Sequence, residues 1–163
     1  MAYVMKNSVR MMAAVEVLLI ATASYSQAPA PSFSLKLNVS PTSAQTGSKF
    51  LVVVDFTNNL HEQIVMDVCL SRDAYCNFAI YVRDSRGDSL PGPKPLTILE
   101  TALLGIAPGE TRKFSSDLSH LFDLSRPDRY EIQVERLDPY TKKSVRSNVS
   151  HIIVSAQSLD GKD

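Results

Sequence analysis

Tryptophan is absent from these 163 residues, and cysteine occurs only twice. Two cysteines cannot build the disulfide framework that replaces a core in small secreted scaffolds. Stability must therefore come from apolar packing, and 44% hydrophobic residues supply the material for one domain. Neither charge is in surplus: Lys plus Arg and Asp plus Glu number 17 each. That balance excludes a general nucleic-acid binder, which would carry a basic stripe. Together with a charged fraction of 21%, it also argues against global disorder. The chain contains no glycine-rich phosphate loop and no G-x-S-x-G nucleophile turn. His61, His120 and His151 lie far apart, each without a partner at metal-ligand spacing. Nothing after Cys76 offers the Cys-His-Met cluster of a copper sandwich. No catalytic, cofactor-binding or metal-binding residue is predicted.

The first segment has the layout of a secretory signal, residues 1–26. Lys6 and Arg10 form a positive n-region, and Met11 to Ala21 an apolar h-region. Ser24-Tyr25-Ser26 places small side chains three and one residues before a cut ahead of Gln27. Glu16 departs from the pattern by putting a carboxylate inside the h-region, so Met5 and Met11 are alternative starts. Cleavage would remove Lys6, Arg10 and Glu16 and leave 15 basic and 16 acidic side chains. No later apolar run approaches the ~20 residues of a membrane span. An extended linker, QAPAPS at 27–32, leads into the domain at 33–156, with a frayed tail at 157–163.

Short alternating segments bounded by turn residues follow, the pattern of a sandwich or barrel. Phe33, Leu35, Leu37 and Val39 alternate with Ser34, Lys36 and Asn38. Pro41 to Gly47 reads as a turn region. Phe50, Val52, Val54 and Phe56 share one face of the clearest strand. Ile64 to Cys69 is a third strand, and Cys76 to Asp84 a fourth. Leu96 to Ile106 reads as a strand with a short helix as the alternative. Thr111 to Phe114 is a short strand. Leu118, Leu121 and Phe122 suit one helical turn within 116–124. Tyr130, Ile132 and Val134 alternate with Glu131, Gln133 and Glu135 to make a half-buried strand. Val145 to Val154 is the last. Seven or eight strands suit an all-β, immunoglobulin-like Greek-key sandwich. Tyr130 opens its strand just after the turn at Pro127, as the structural tyrosine corner of such folds does.

Four pieces carry a family resemblance: FLVVVDFTN from Phe50, IYVRDSRGDSL from Ile80, APGET from Ala107 and DLSRPDRYEIQVER from Asp123. They resemble bacterial exported immunoglobulin-like and fibronectin type III-like domains, and distantly the intracellular proteinase inhibitor domain of bacilli. The resemblance covers about half the chain and specifies turns and core. It implies a binding, adhesive or inhibitory module and transfers no functional residue.

Cys69 and Cys76 form an even, short-range pair, which in an oxidising compartment reads as a disulfide. Free thiols are the alternative, and the two-residue spacing of thiol oxidoreductases is missing. Closing so small a loop is worth about 2.5 kcal/mol of chain entropy. The pair is expected to staple a hairpin, yet Cys69 and Cys76 fall on opposite parities of their strands, which requires a bulge or an early strand end. Arg86-Gly87-Asp88-Ser89 matches the integrin-read tripeptide, whose logic is a cation and a carboxylate held apart; Asp84 and Gly87 are also ordinary hairpin-turn chemistry. Asn38 and Asn148 head glycosylation sequons that matter only in a eukaryotic secretory host.

The expectation is an exported, non-enzymatic module, secreted or periplasmic, that binds a protein or cell-surface component. Loops at one end of the sandwich would do so: 70–75 with Arg72 and Tyr75, and 84–96 with Arg86 and Asp88. A secreted proteinase inhibitor is a sub-case. An envelope protein self-associating through the edge Phe33 to Val39 is the rival reading. No nucleic acid and no cofactor are expected.

Overall fold

The computed structural model describes residues 30–69, 74–93 and 100–157. The signal segment at 1–26, Arg72 and the tail beyond 157 lie outside the described residues. Ten strands are described: β1 (Phe33–Ser40), β2 (Ser43–Gln45), β3 (Leu51–Asn58), β4 (Ile64–Cys69), β5 (Ala79–Arg83), β6 (Thr101–Ile106), β7 (Thr111–Asp117), β8 (Asp128–Leu137), β9 (Ser144–Arg146) and β10 (Ser150–Ser155). Eight of them have five or more residues, and two have three.

The strands form an all-β, immunoglobulin-like sandwich. One sheet has the order β1-β3-β7; the other runs β2-β10-β8-β5, with β9 added along β8. β4 and β6 pair as a separate ribbon. β1 and β3 pair antiparallel from Phe33 opposite Asn58 to Ser40 opposite Leu51. This register turns Phe33, Leu35, Leu37 and Val39 inward, because period-two side chains of one parity share a face. Val52, Val54 and Phe56 meet them, all 1% exposed or less. Tyr130, Ile132 and Val134 of β8 and Ile152 and Val154 of β10 line the facing sheet. Full burial of one such aliphatic side chain is worth ~1.5–3 kcal/mol. Phe33 stacks on Phe56 with centroids 4.5 Å apart, and Phe78 meets Phe114 edge-on at 5.2 Å.

Four local expectations differ from what forms. The Pro41 to Gly47 segment holds a strand, β2, which pairs parallel to β10 after a cis Ser40–Pro41 peptide. The segment from Val145 splits into β9 and β10, because Ser147 turns back on β8. Its amide donates to the Val134 carbonyl, and its hydroxyl accepts from the Val134 amide. β7 continues to Asp117, opposite Leu51, so the helical turn shrinks to a 3-10 turn at Leu118–His120. The Asp117 carboxylate caps that turn by accepting from the Ser119 amide. Finally, β4 pairs with β6 rather than β5, so Cys69 and Cys76 do not face each other across a hairpin.

Two buried side chains tie distant segments. Asn58 donates to the carbonyls of Glu62 and Ile106 and accepts from the Leu60 amide. Asp138 accepts from the amide and hydroxyl of Ser32, both at 2.8 Å, and from the Tyr140 amide at 2.9 Å. The β8–β9 turn is thereby pinned to the start of β1.

Candidate functional site

β5 leads into a tight hairpin organised by Asp84. One carboxylate oxygen accepts from the amides of Arg86 and Asp88, each at 3.0 Å. The other accepts from Arg86 Nε at 3.1 Å and Nη2 at 2.8 Å. The Asp84 amide donates to the Asp88 carbonyl, and the Gly87 amide to the Asp84 carbonyl. Gly87 has φ of 87°, a conformation that glycine adopts without steric cost. Ser89 then bridges to Arg83, and the Leu90 amide donates to the Val82 carbonyl, so the loop is closed on β5. The Arg86 side chain bonded to Asp84 holds that carboxyl below the usual range, with the two backbone amides adding to the effect.

This geometry decides how Arg86-Gly87-Asp88 is displayed. Arg86 Nη2 lies 3.4 Å from the Asp88 carboxylate as well as 2.8 Å from Asp84. The turn therefore gathers the two motif charges, where the integrin reading needs them apart. Both remain outward: the side chains are 70% and 73% exposed. Beside Arg86 is a hollow of about 480 Å³ lined by Leu90, Pro91, Pro127 and Tyr130 together with Asp123, Arg126 and Asp128.

Tyr130 anchors that hollow from below. Its hydroxyl donates to the Arg126 carbonyl at 2.8 Å, four residues upstream, the bond of a tyrosine corner. Burial first, and then the carboxylates of Asp128 and Asp123, push its phenol above the ordinary value. Asp128 accepts from the Arg129 amide at 2.7 Å and from the Ser85 amide at 3.5 Å, so the corner and the hairpin touch.

The other predicted surface is elsewhere. Cys69 and Cys76 are joined in a disulfide, with Cα atoms 6.2 Å apart. Cys76 lies in a 3-10 turn, Ala74–Cys76, and not in a strand. The parity conflict disappears because only Cys69 obeys a strand register, and neither a bulge nor an early strand end is needed. Asn77 fastens the turn by accepting from the Cys69 amide at 3.1 Å. Tyr75 precedes β5, whereas Arg86 and Asp88 follow it. Four extended steps separate the ends of β5 by about 13 Å. Tyr75 and the Arg86–Asp88 hairpin thus lie at opposite ends of β5, and for these residues the expectation of one shared end is corrected.

His120 lies 3.7 Å from Asp117, and His151 lies 3.8 Å from Glu131. No group of three metal-ligating side chains occurs among the described residues. No helix among them is long and apolar enough to cross a membrane. Asn148, read from sequence as a sequon, uses its amide internally: it accepts from the Leu37 amide at 2.9 Å and donates to the Leu37 carbonyl at 3.1 Å. Asn38 is exposed and donates to Asp55 at 3.4 Å.

Sequence reasoning missed Asp84 as the organiser, although the D-x-x-G turn signal named the hairpin. It also missed Arg136, whose signal was available: Tyr130, Ile132, Val134 and Arg136 share parity, which puts a cation in the inward register.

No family model matches the chain, and no curated protein matches it. Among solved structures, the alkylpurine DNA glycosylase AlkC of Pseudomonas fluorescens, bound to DNA containing an abasic site analog, gives a TM-score of 0.47 at 9% identity, over 78% of this chain and 32% of that one. A β-glucosidase from Listeria innocua in complex with gluconolactone gives 0.44 at 14% identity, over 79% and 17%. The PapD-like domain 7 of human CEP192 gives 0.28 at 15% identity, over 94% and 100%. This chain spans a third or less of the first two proteins. Similarity this low carries no argument about activity, ligand or ancestry.

Proposed function

We propose that the chain is an exported, non-enzymatic binding module that engages a protein or cell-surface component through its hairpin end. The observation that carries this reading is the hairpin at Asp84 to Leu90. Asp84 uses its hydrogen bonds to fix the turn, while Arg86 and Asp88 stand exposed and Arg86 borders the hollow. A loop already ordered before binding avoids the entropic cost of ordering it on contact. Charged residues exposed on such a loop, with an apolar wall next to them, suit recognition better than catalysis. The Cys69–Cys76 disulfide supports export, since such bonds persist in oxidising compartments.

The rival reading, self-association along β1, has less support. The free edge of β1 is engaged at its centre, where the Asn148 amide takes both backbone groups of Leu37. The proteinase-inhibitor sub-case shares the hairpin surface, and a screen of secreted proteases without micromolar inhibition would remove it.

The test is capture from envelope and culture-fluid extracts by the immobilised protein, side by side with the Arg86→Ala/Asp88→Ala variant. The Asp84 bonds to the two loop amides do not involve either side chain, so the variant keeps its turn. A partner held by the wild type and lost by the variant supports the reading. Equal capture by both overturns it.

A further inference from the structure

Near the end of β5 away from the hairpin, Arg136 carries a guanidinium that forms no ion pair among the described residues. Arg136 continues the inward parity of β8 past Val134, so its side chain is half-buried. Nη1 donates to the Asn77 carbonyl at 2.5 Å, and Nη2 donates to the Asp67 carbonyl at 3.4 Å. The cation sits 5.8 Å from the centroid of the Phe78 ring. Among the described residues, these neutral partners are its hydrogen-bonding and ring contacts, and they leave Nε–H without an acceptor. Burial pulls its pKa down, partly opposed by the Asp67 charge. Asp67 bonds Arg136 only through its backbone carbonyl.

The carboxylate of Glu135, which lines the same groove as Arg136, is already paired. It accepts from Arg146 Nε and Ser144 Oγ, both at 2.7 Å. Arg136 borders an open groove of about 360 Å³ whose other walls include Tyr75, Phe78, Ala79, Leu137 and the Glu135–Ser144 pair. Leu137 is 61% exposed there. A planar guanidinium pairs best with a carboxylate through two parallel bonds, and removal from water strengthens that pairing.

We propose that this groove is a carboxylate-binding site that takes an acidic side chain or a C-terminal carboxylate of a partner polypeptide, with Arg136 as the anchor and Leu137 as an apolar wall. The site is separated from the hairpin by the length of β5 and does not rest on the reading given for it.

The test follows the Arg136 Nε–Hε NMR signal of the whole protein. The probes are tetraglutamate with both ends blocked, tetraalanine with a free C-terminal carboxylate, and blocked tetraglutamine. A saturable shift with a carboxylate probe and none with tetraglutamine is expected. Which of the two carboxylate probes acts tells side-chain from terminal recognition. Arg136→Gln should weaken binding about tenfold or more, and Arg136→Lys less, because lysine keeps the charge and loses the fork. No saturable shift at Arg136 with either carboxylate probe overturns the proposal. So does an equal shift with tetraglutamine, or undiminished binding by the glutamine variant. If that variant does not fold, the wild-type titration decides, with the Arg112 signal as control, since Arg112 is already paired with Glu110 at 2.7 Å.

Discussion

Replacing Asp138 by asparagine isolates the contribution of one buried carboxylate to the joint between β1 and the β8–β9 turn. Asp138 is 0% exposed and accepts from the Ser32 amide and hydroxyl and the Tyr140 amide, with a longer contact to the Thr141 amide at 3.3 Å. Burial alone would raise its pKa; these donors outweigh burial and hold it at about 2, against an ordinary 3.8. A folded-state value below the unfolded one stabilises the fold wherever the unfolded carboxyl is ionised. The contribution is complete above about pH 5 and is lost as the pH falls towards 2. A shift of this size is worth roughly 2 kcal/mol. In Asp138→Asn the amide must turn an N–H towards one of the former donors, so about that much is lost at pH 7. The assay is urea unfolding of both proteins at pH 7, 5, 3.5 and 2.5. The midpoint of the variant should lie about 1 M lower at pH 7, and the gap should close steadily below pH 5. A gap that is constant with pH, or that widens in acid, refutes the linkage argument.

Three further outcomes follow from the same geometry. Tyr130→Phe deletes the corner bond and leaves the Arg126 carbonyl without that donor, so chemical denaturation should register a loss of about 1–2 kcal/mol. The native protein should show no reactive thiol before reduction and two after it, and Cys69→Ser/Cys76→Ser should cost about 2.5 kcal/mol. Asn148→Ala should accelerate hydrogen exchange at the Leu37 amide with little change elsewhere in β1, because one side chain holds both Leu37 groups.

Strands whose order comes from their own alternation were legible in the sequence. The faces of β3 and β8 follow from Phe50 to Phe56 and from Tyr130 to Val134 without knowledge of their neighbours. What depends on pairing was not legible. β2 is three residues long and exists because β10 lies beside it. The partner of β4 proved to be β6, across an intervening strand, and the unresolved parity of Cys69 and Cys76 was the trace of that error. The corner bond of Tyr130 was readable because its acceptor is four residues away. The bond from Ser32 to Asp138 was not, because it spans 106 residues and the turn at Asp138 reads as ordinary surface chemistry. For the hairpin, the motif residues were visible and their display was not: only the fold shows Arg86 and Asp88 drawn together by Asp84.

We propose that the hairpin end is where the chain meets a partner. Amide hydrogen exchange of the protein, alone and saturated with the partner captured from envelope or culture-fluid extract, tests it most directly. Exchange should slow at Ser85 to Leu90 and at Asp123 to Asp128, with the strands unchanged. Protection confined to β1, to the β4–β6 ribbon or to the outer face of the β2-β10-β8-β5 sheet would contradict it.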